Sequence, residues 1–229
     1  MGMRSVLRLT KLIDGICQRT GNSPNDPDIS GLTADSRLVE PGFLFVAVNG
    51  SRFNGMNYLE EALNRGASAI LAEPCQCRNL QTEVPIVATK NPRRSLSLLA
   101  SQFYPSQPGT IAAVTGTNGK TSVVSFLRQI WRLSGEIAAS VGTLGLEVSG
   151  TAQIKLLSDP SNLTTLDPVS MHQTLENLVS NDIHRLAMEA SSHGLDQYRM
   201  DGVRVNMAGF TNLTREHMDY HGSMDQYLK

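Results

Sequence analysis

A lysine and a threonine close a glycine-rich loop near the middle of the chain. Gly116 and Gly119 lie in the stretch T-G-T-N-G-K-T, which ends with Lys120 and Thr121. Glycines let the backbone approach an anion closely, a lysine here neutralises phosphate oxygens, and the adjacent hydroxyl binds Mg²⁺. We predict a phosphate-binding loop made of Gly116, Thr117, Asn118, Gly119, Lys120, Thr121 and Ser122.

The elements on either side of this loop support that prediction. An apolar run from Ile111 to Val114 indicates a buried strand, and residues 123–131 have the pattern of a helix. Amides at a helix N-terminus and the helix dipole both favour a bound anion. The loop is shorter than the G-x-x-x-x-G-K-[ST] pattern, because Val114 occupies the position of its first glycine. A glycine-rich turn with a surface lysine is the alternative.

A carboxylate follows a second predicted strand. Glu189 lies in M-E-A-S-S-H-G-L, near the end of a strand predicted over Arg185 to Ala190. Ligands of open α/β sheets bind beyond the carboxyl ends of the strands, so we expect Glu189 close to the loop. A carboxylate there suits Mg²⁺. The alternative is a buried, hydrogen-bonded glutamate without a catalytic role.

Two further polar segments are candidates. Residues 211–222 follow a strand predicted over Val203 to Phe210, and they contain His217, Asp219 and His221. Such a concentration after a strand indicates a site, although single histidines are usually structural or solvated. Residues 162–167 place two threonine hydroxyls before a helix that begins at Asp167-Pro168, which is a possible anion site or a simple cap.

Composition restricts the class of protein. Hydrophobic residues make up 40% and charged residues 18% of 229 residues, with a net charge of −1. These values are typical of a globular protein and give no sign of a nucleic-acid or membrane surface. Three cysteines provide no disulfide framework, and no apolar run reaches the length of a membrane span. We expect a cytoplasmic protein that binds neither nucleic acid nor membrane.

The order of predicted strands and helices indicates an α/β fold with parallel sheets. Before the loop we predict a short helix within residues 4–19, a buried strand at residues 43–48, a helix over residues 58–65 capped by Asn57, and a helix from Asn91 to about Tyr104. The stretch from Pro105 to Gly109 has the composition of a linker. We place a domain boundary at about residue 107, which separates domains 1–107 and 108–229.

Taken together, the motifs resemble the Mur ligase family. They are T-G-T-N-G-K-T, L-T-T-L-D-P, E-A-S-S-H-G-L and F-T-N-L-T-R-E-H-M-D-Y-H-G, with T-A-D-S-R and P-G-F-L-F-V-A-V-N-G nearer the N-terminus. The resemblance implies a UDP-sugar-binding α/β domain followed by an incomplete, Rossmann-like ATPase domain with a phosphate loop. It also implies that a third domain is absent, and that the family's carbamylated lysine would lie about two residues beyond Lys229.

The resemblance assigns roles to individual residues. It implies catalytic roles for Lys120, Glu189 and His217, ATP binding by residues 116–122, and Mg²⁺ binding by Thr121, Glu189 and His217. The residues expected to contact the UDP-sugar peptide are Ala34, Ser36, Ser51, Arg52, Phe53, Thr164, Thr165, Ser191, Gln197 and Arg199.

The resemblance also implies a reaction. Its cofactors are ATP and Mg²⁺, and its product is an amide between UDP-N-acetylmuramoyl-L-alanyl-D-glutamate and a diamino acid, meso-diaminopimelate or L-lysine, in peptidoglycan biosynthesis. We expect the 229-residue chain to be a fragment that does not turn over alone, with apolar surface left uncovered. The alternatives are a non-catalytic UDP-sugar or nucleotide-binding remnant and an unrelated phosphate-loop NTPase.

Overall fold

Apolar runs form the central strands of two separate sheets, one in each part of the chain. The computed structural model describes residues 6–20, 24–50, 54–77, 80, 82–150 and 163–228. The chain divides into two units, Met1–Pro105 and Ser106–Lys229, close to the boundary predicted near residue 107. The functions assigned to these two parts stay predictions.

The first unit alternates short strands and helices. Its elements are β1 (Leu7–Arg8), α1 (Leu9–Ile13), β2 (Gln18–Thr20), β3 (Asp28–Ile29), β4 (Gly31–Thr33), β5 (Phe43–Val46), α2 (Leu59–Asn64), β6 (Ala69–Ala72), α3 (Pro74–Cys77), β7 (Ile86–Ala88) and α4 (Pro92–Phe103). Among the described residues, β2-β7-β6-β5-β4 form one sheet, in which β4 to β7 are parallel and β2 is antiparallel. β1 and β3 pair separately.

Two local predictions in this unit need correction. The helix expected within residues 4–19 is limited to Leu9–Ile13, with strands on both sides, because β1 and β2 find partners distant in sequence. Asn57 does not cap α2. It lies inside a 3₁₀ turn, Gly55–Tyr58, whose cap is Asn54, and the Asn54 side chain accepts from the Met56 N–H.

The second unit contains the predicted phosphate loop. Its elements are β8 (Thr110–Thr115), α5 (Lys120–Leu133), β9 (Ala138–Gly142), β10 (Gly145–Val148), α6 (Pro168–Ser180), β11 (Arg185–Glu189), α7 (Ser192–Asp196), β12 (Met207–Phe210), α8 (Met218–His221) and α9 (Met224–Leu228). Within the described part, the sheet order is β10-β9-β11-β8-β12. Only the β9–β10 hairpin is antiparallel among these pairs.

Helices α5 and α6 pack on different faces of this sheet. Side chains alternate between the two faces of a strand. In β8, Ile111 and Ala113 belong to the cluster that contains Met171 and Leu175 of α6, whereas Val114 packs with Val124 of α5. The central strands are therefore covered on both faces, as is usual for a parallel sheet.

The sheet order brings three strand ends together. β11 and β12 lie on either side of β8, with Glu189 opposite Val114 and Phe210 opposite Thr115. The connection from β8 runs through α5 to β9, which lies beyond β11 on one side of β8. The chain later reaches β12 on the other side of β8, so the connections run in opposite directions from this strand. Such a divergence opens a crevice at the carboxyl ends of the strands, where ligands bind.

The helices are short or amphipathic. In the part of the chain that the structure describes, none combines the length and the apolar character that crossing a membrane requires.

Candidate functional site

The predicted phosphate loop connects β8 to α5. Gly116 has a φ of 126° and Gly119 a φ of 88°, which are values that L-residues rarely adopt. Gly119 is the N-cap of α5, so Lys120 and Thr121 occupy the first helical turn. The N–H groups of that turn have no carbonyl partner within the helix. The loop thus presents free amides and the positive end of the helix dipole at one place.

Lys120 points back across the loop. Its Nζ donates to the carbonyl oxygens of Gly116 at 2.7 Å and Thr117 at 2.9 Å. The Lys120 ammonium group is therefore held over the loop, at the place where a phosphate would bind. An incoming anion can replace these neutral acceptors with charged oxygens, which make stronger hydrogen bonds.

Glu189 ends β11 as a buried carboxylate, with a relative exposure of 2%. Its Oε1 accepts from the Thr143 N–H at 2.9 Å, and its Oε2 accepts from the Thr143 hydroxyl at 3.3 Å. Thr143 belongs to the turn of the β9–β10 hairpin. A Cβ at Gly142 would overlap the Glu189 side chain, so that glycine makes room for the carboxylate.

The predicted peptide-binding residues form a connected group. Thr165 Oγ1 lies 2.9 Å from Ser191 Oγ and accepts from the Ser191 N–H at 2.9 Å. Arg199 donates to the Thr165 carbonyl at 2.8 Å and to Gln197 Oε1 at 2.7 Å. Thr164 is connected to the Glu189 carboxylate through Thr143, because the hydroxyl oxygens of the two threonines lie 3.1 Å apart. The structure thus brings all five of these residues to one edge of the sheet.

His217 lies in a cluster of aromatic rings. It has a φ of 55° and precedes α8. Its ring centroid is 4.8 Å from that of His193, which in turn lies 4.0 Å from Tyr220 and 5.6 Å from His221. Burial lowers the pKa of His193, and the neighbouring His217 and His221 lower it further. The cluster therefore favours a neutral His193.

The predicted uridine-site residues lie in the first unit. Ser36 is buried and donates to Glu61 Oε2 at 2.6 Å, whereas Ala34 is exposed. Between them, Asp35 accepts from the N–H of Arg37 and pairs with its guanidinium, which lowers the pKa of Asp35. Ser51, Arg52 and Phe53 lie outside the described residues.

The side-chain oxygens of Glu189 and Thr121, near the loop, fit Mg²⁺ better than the imidazole of His217 does. No group of three or more His, Cys, Asp or Glu side chains suited to a metal is found among the described residues. Mg²⁺ needs no such cage, since it keeps several waters and is held by one or two carboxylates and substrate phosphates. Glu189 retains acceptor capacity beyond its two bonds to Thr143, and Thr121 adds a hydroxyl. Imidazole is a less suitable ligand, so His217 fits less well.

Sequence reasoning missed two groups at this edge of the sheet. Thr143 is not among the predicted site residues, although its turn follows the carboxyl end of a parallel strand and so lies at the edge of the sheet where the site is. Asn212 and Thr214 lie in a motif of the sequence without a predicted role of their own, but they contact the predicted phosphate loop directly. Their position immediately after β12 was the available signal.

The fold and the loop define a class of protein, and comparison with known families identifies it. The Mur ligase middle domain matches residues 114–229, and the family pattern described as "Mur ligase family, catalytic domain" matches residues 28–104. The first match covers half of the chain, and the chain belongs to the Mur ligase family. Its members are ATP-dependent amide ligases. The expected α/β fold with a Rossmann-like second part is confirmed.

Similar proteins carry one recurring name. The chain is 48% identical over 203 residues to the UDP-N-acetylmuramoyl-L-alanyl-D-glutamate--2,6-diaminopimelate ligase of Bradyrhizobium diazoefficiens, covering 88% of this chain and 40% of that protein. It is 50% identical over 201 residues to the ligase of the same name from Rhizobium meliloti, covering 88% of this chain and 40% of that protein. The chain thus spans about 40% of the length of these relatives.

Solved structures of the family have the same fold. A UDP-N-acetylmuramoyl-L-alanyl-D-glutamate--2,6-diaminopimelate ligase superposes with a TM-score of 0.77 at 26% identity, covering 97% of this chain and 43% of that chain. A MurF ligase from Thermotoga maritima in complex with ADP has a TM-score of 0.55 at 22% identity, covering 86% of this chain and 40% of that chain, and shows the fold alone.

Proposed function

We propose that this chain supplies the UDP-sugar-binding and ATP-binding parts of a ligase that joins 2,6-diaminopimelate to UDP-N-acetylmuramoyl-L-alanyl-D-glutamate. The observation that carries the proposal is the meeting of the phosphate loop, Glu189 and the Thr165–Ser191 group at one edge of the sheet. An ATP-dependent ligation needs a phosphate site beside a carboxylate-substrate site, and this edge supports both.

In the proposed reaction, the D-glutamyl carboxylate attacks the γ-phosphorus of ATP, and ADP leaves. The resulting acyl phosphate is attacked by the amine of the diamino acid, inorganic phosphate leaves, and the amine loses a proton as the amide forms. Two anions must approach each other in the first step. Lys120 and the free amides of α5 offset their repulsion and hold the triphosphate in line. A bound Mg²⁺ supplies further charge neutralisation.

The remaining residues bind and orient substrate. Thr165, Ser191 and Arg199 form a hydrogen-bonded group that we assign to the muramoyl peptide, together with Thr164 and Gln197. We assign Ser36 and Ala34 to the uridine end, with Ser51, Arg52 and Phe53. Glu189 and Thr121 would hold Mg²⁺, and His217 of the aromatic cluster, whose imidazole is a less suitable ligand, would add only a weaker contact to the ion.

The test is ADP formation by a longer protein that contains residues 1–229. We expect ADP release to require both the UDP-muramoyl dipeptide and diaminopimelate. Lys120→Met should lower the rate at least about 100-fold, because a transition-state charge contact is lost. Lys90→Met is the matched control, since Lys90 is an exposed lysine in the first unit. ADP release that does not depend on the muramoyl dipeptide would instead identify a general NTPase.

The 229-residue chain gives a second test. Because it spans about 40% of its relatives' length, we expect it to bind ATP and the UDP-sugar peptide without forming the amide. Mass spectrometry of a reaction mixture that contains L-lysine or diaminopimelate shows whether the amide forms. Amide product from residues 1–229 alone would contradict this part of the proposal.

A further inference from the structure

Two asparagines bracket β12 and tie it to opposite ends of β8. Asn206 lies just before β12, and its Oδ1 accepts from the Ile111 N–H at 2.8 Å near the start of β8. Asn212 lies two residues after β12, and it contacts the phosphate loop beyond the end of β8. Each of the two side chains accepts a hydrogen bond from a backbone N–H, but only the bond to Asn212 comes from the loop.

Asn212 holds two consecutive residues of the loop. Its Oδ1 accepts from the Asn118 N–H at 3.1 Å, and its Nδ2 donates to the Asn118 carbonyl at 3.0 Å. Its own carbonyl accepts from the Thr117 N–H at 2.9 Å. One residue thereby fixes the peptide groups on both sides of Asn118.

These contacts decide which loop amides remain for an anion. The N–H groups of Thr117 and Asn118 are turned towards Asn212. Those of the first turn of α5 keep no helical partner and form the anion-binding end of the helix. Close packing reinforces the arrangement, because a Cβ at Gly116 would overlap the Thr211 side chain and the Asn212 backbone.

We propose that Asn212 is a positioning residue that keeps the phosphate loop in its anion-binding conformation. It acts through Thr117 and Asn118, not by touching the nucleotide. This inference rests on the proposed function, since it assumes that the loop binds ATP phosphates. Nothing in the sequence motif separates this asparagine from its neighbours; the role follows from the three hydrogen bonds.

The first test compares Asn212→Ala with Asn206→Ala in the 229-residue chain. Each variant removes an asparagine that accepts from a backbone amide of the β8 region, so Asn206→Ala is the matched control for stability. Calorimetric titration with Mg·ATP should give a dissociation constant raised about tenfold for Asn212→Ala and unchanged for Asn206→Ala. Asn212→Asp should bind ATP more weakly still: it keeps an acceptor for the Asn118 N–H, but it loses the donor to the Asn118 carbonyl and adds a negative charge beside the loop.

The second test needs no nucleotide. We expect the Asn118 amide, whose acceptor is the Asn212 side chain, to exchange with deuterium at least about tenfold faster in Asn212→Ala than in the unsubstituted chain, and at the same rate in Asn206→Ala. Equal exchange in all three proteins would overturn the inference, and so would equal ATP affinity of Asn212→Ala and the unsubstituted chain. Failure of the unsubstituted chain to bind ATP would overturn the proposed function instead, and the exchange rates would still decide the role of Asn212.

Discussion

Glu189 is a buried carboxylate whose side-chain partner, Thr143, comes from the turn after a neighbouring strand. We expect Glu189→Gln to reduce the Mg²⁺ dependence of ATP binding, because the amide keeps the shape and one acceptor oxygen but loses the charge that a cation needs. Titrations with ATP in Mg²⁺ and in EDTA measure this dependence. Glu147→Gln, on the β9–β10 hairpin, is the control. Unchanged Mg²⁺ dependence in Glu189→Gln would exclude the carboxylate as a ligand.

His172 is a second buried residue with a testable consequence. Burial lowers its pKa to about 4, and its Nε2 lies 3.3 Å from the Asp201 carbonyl. The unfolded chain takes up a proton at this residue below about pH 6.5, whereas the folded chain resists until about pH 4. The free energy of unfolding therefore falls as the pH falls through this window, by about 3 kcal/mol.

Urea denaturation at pH 7 and pH 4.5 measures the effect of His172. Trp131 is the one tryptophan in the sequence and lies in α5, so its fluorescence reports unfolding of the second unit. His172→Gln should lose less stability between the two pH values than the unsubstituted chain. His184→Gln, which alters an exposed histidine, should behave like the unsubstituted chain. Identical pH dependence in all three would contradict the assignment.

At the scale of elements, local sequence signals decide where several helices begin. Asp167 caps α6 by accepting from the N–H groups of Val169 and Ser170 at 3.0 and 3.2 Å, and Pro168 follows it. This start was predicted from the Asp-Pro pair, because both residues act on the first turn itself. The short helix predicted within residues 4–19 covers only Leu9–Ile13, since its ends depend on strand partners distant in sequence.

Removal of the α6 cap should be measurable. We expect Asp167→Ala to lower the free energy of unfolding of the second unit by about 1 kcal/mol, because two backbone N–H groups lose their acceptor. The midpoint of urea denaturation, followed by Trp131 fluorescence, reports the change. Asp167→Ser retains a capping oxygen and should lose much less. A loss of equal size in both variants would assign the effect to something other than the cap.

At the scale of the whole molecule, an apolar stripe on α5 is exposed. Phe126, Ile130 and Leu133 are 61%, 56% and 87% exposed, and Phe210 of the edge strand β12 is 59% exposed. The faces of a parallel sheet are normally covered, and an exposed apolar stripe of this kind promotes association between protein molecules. We expect the 229-residue chain to bind a hydrophobic dye and to self-associate through this surface.

A substitution on the stripe tests this expectation. Phe126→Glu should lower dye binding and shift sedimentation towards the monomer, with little change in the unfolding midpoint, because the residue already contacts water. Leu38→Glu, which changes an exposed leucine of the first unit, should alter neither. In a longer protein whose additional residues cover the stripe, Phe126→Glu should instead be destabilising. Dye binding that persists unchanged in Phe126→Glu would contradict the role of this surface.

The sequence by itself determined the family, the α/β fold and the position of the glycine-rich loop between β8 and α5. These depend on local patterns: an apolar strand, glycines where φ is positive, and a lysine beside a helix start. Only the tertiary structure decided which residues surround the loop. Thr143 and Asn212 come from separate parts of the chain, and the strand order β9-β11-β8-β12 brings them to one edge. Strand order arises from the packing of α5 and α6 on the two faces of the sheet, and no local pattern encodes it.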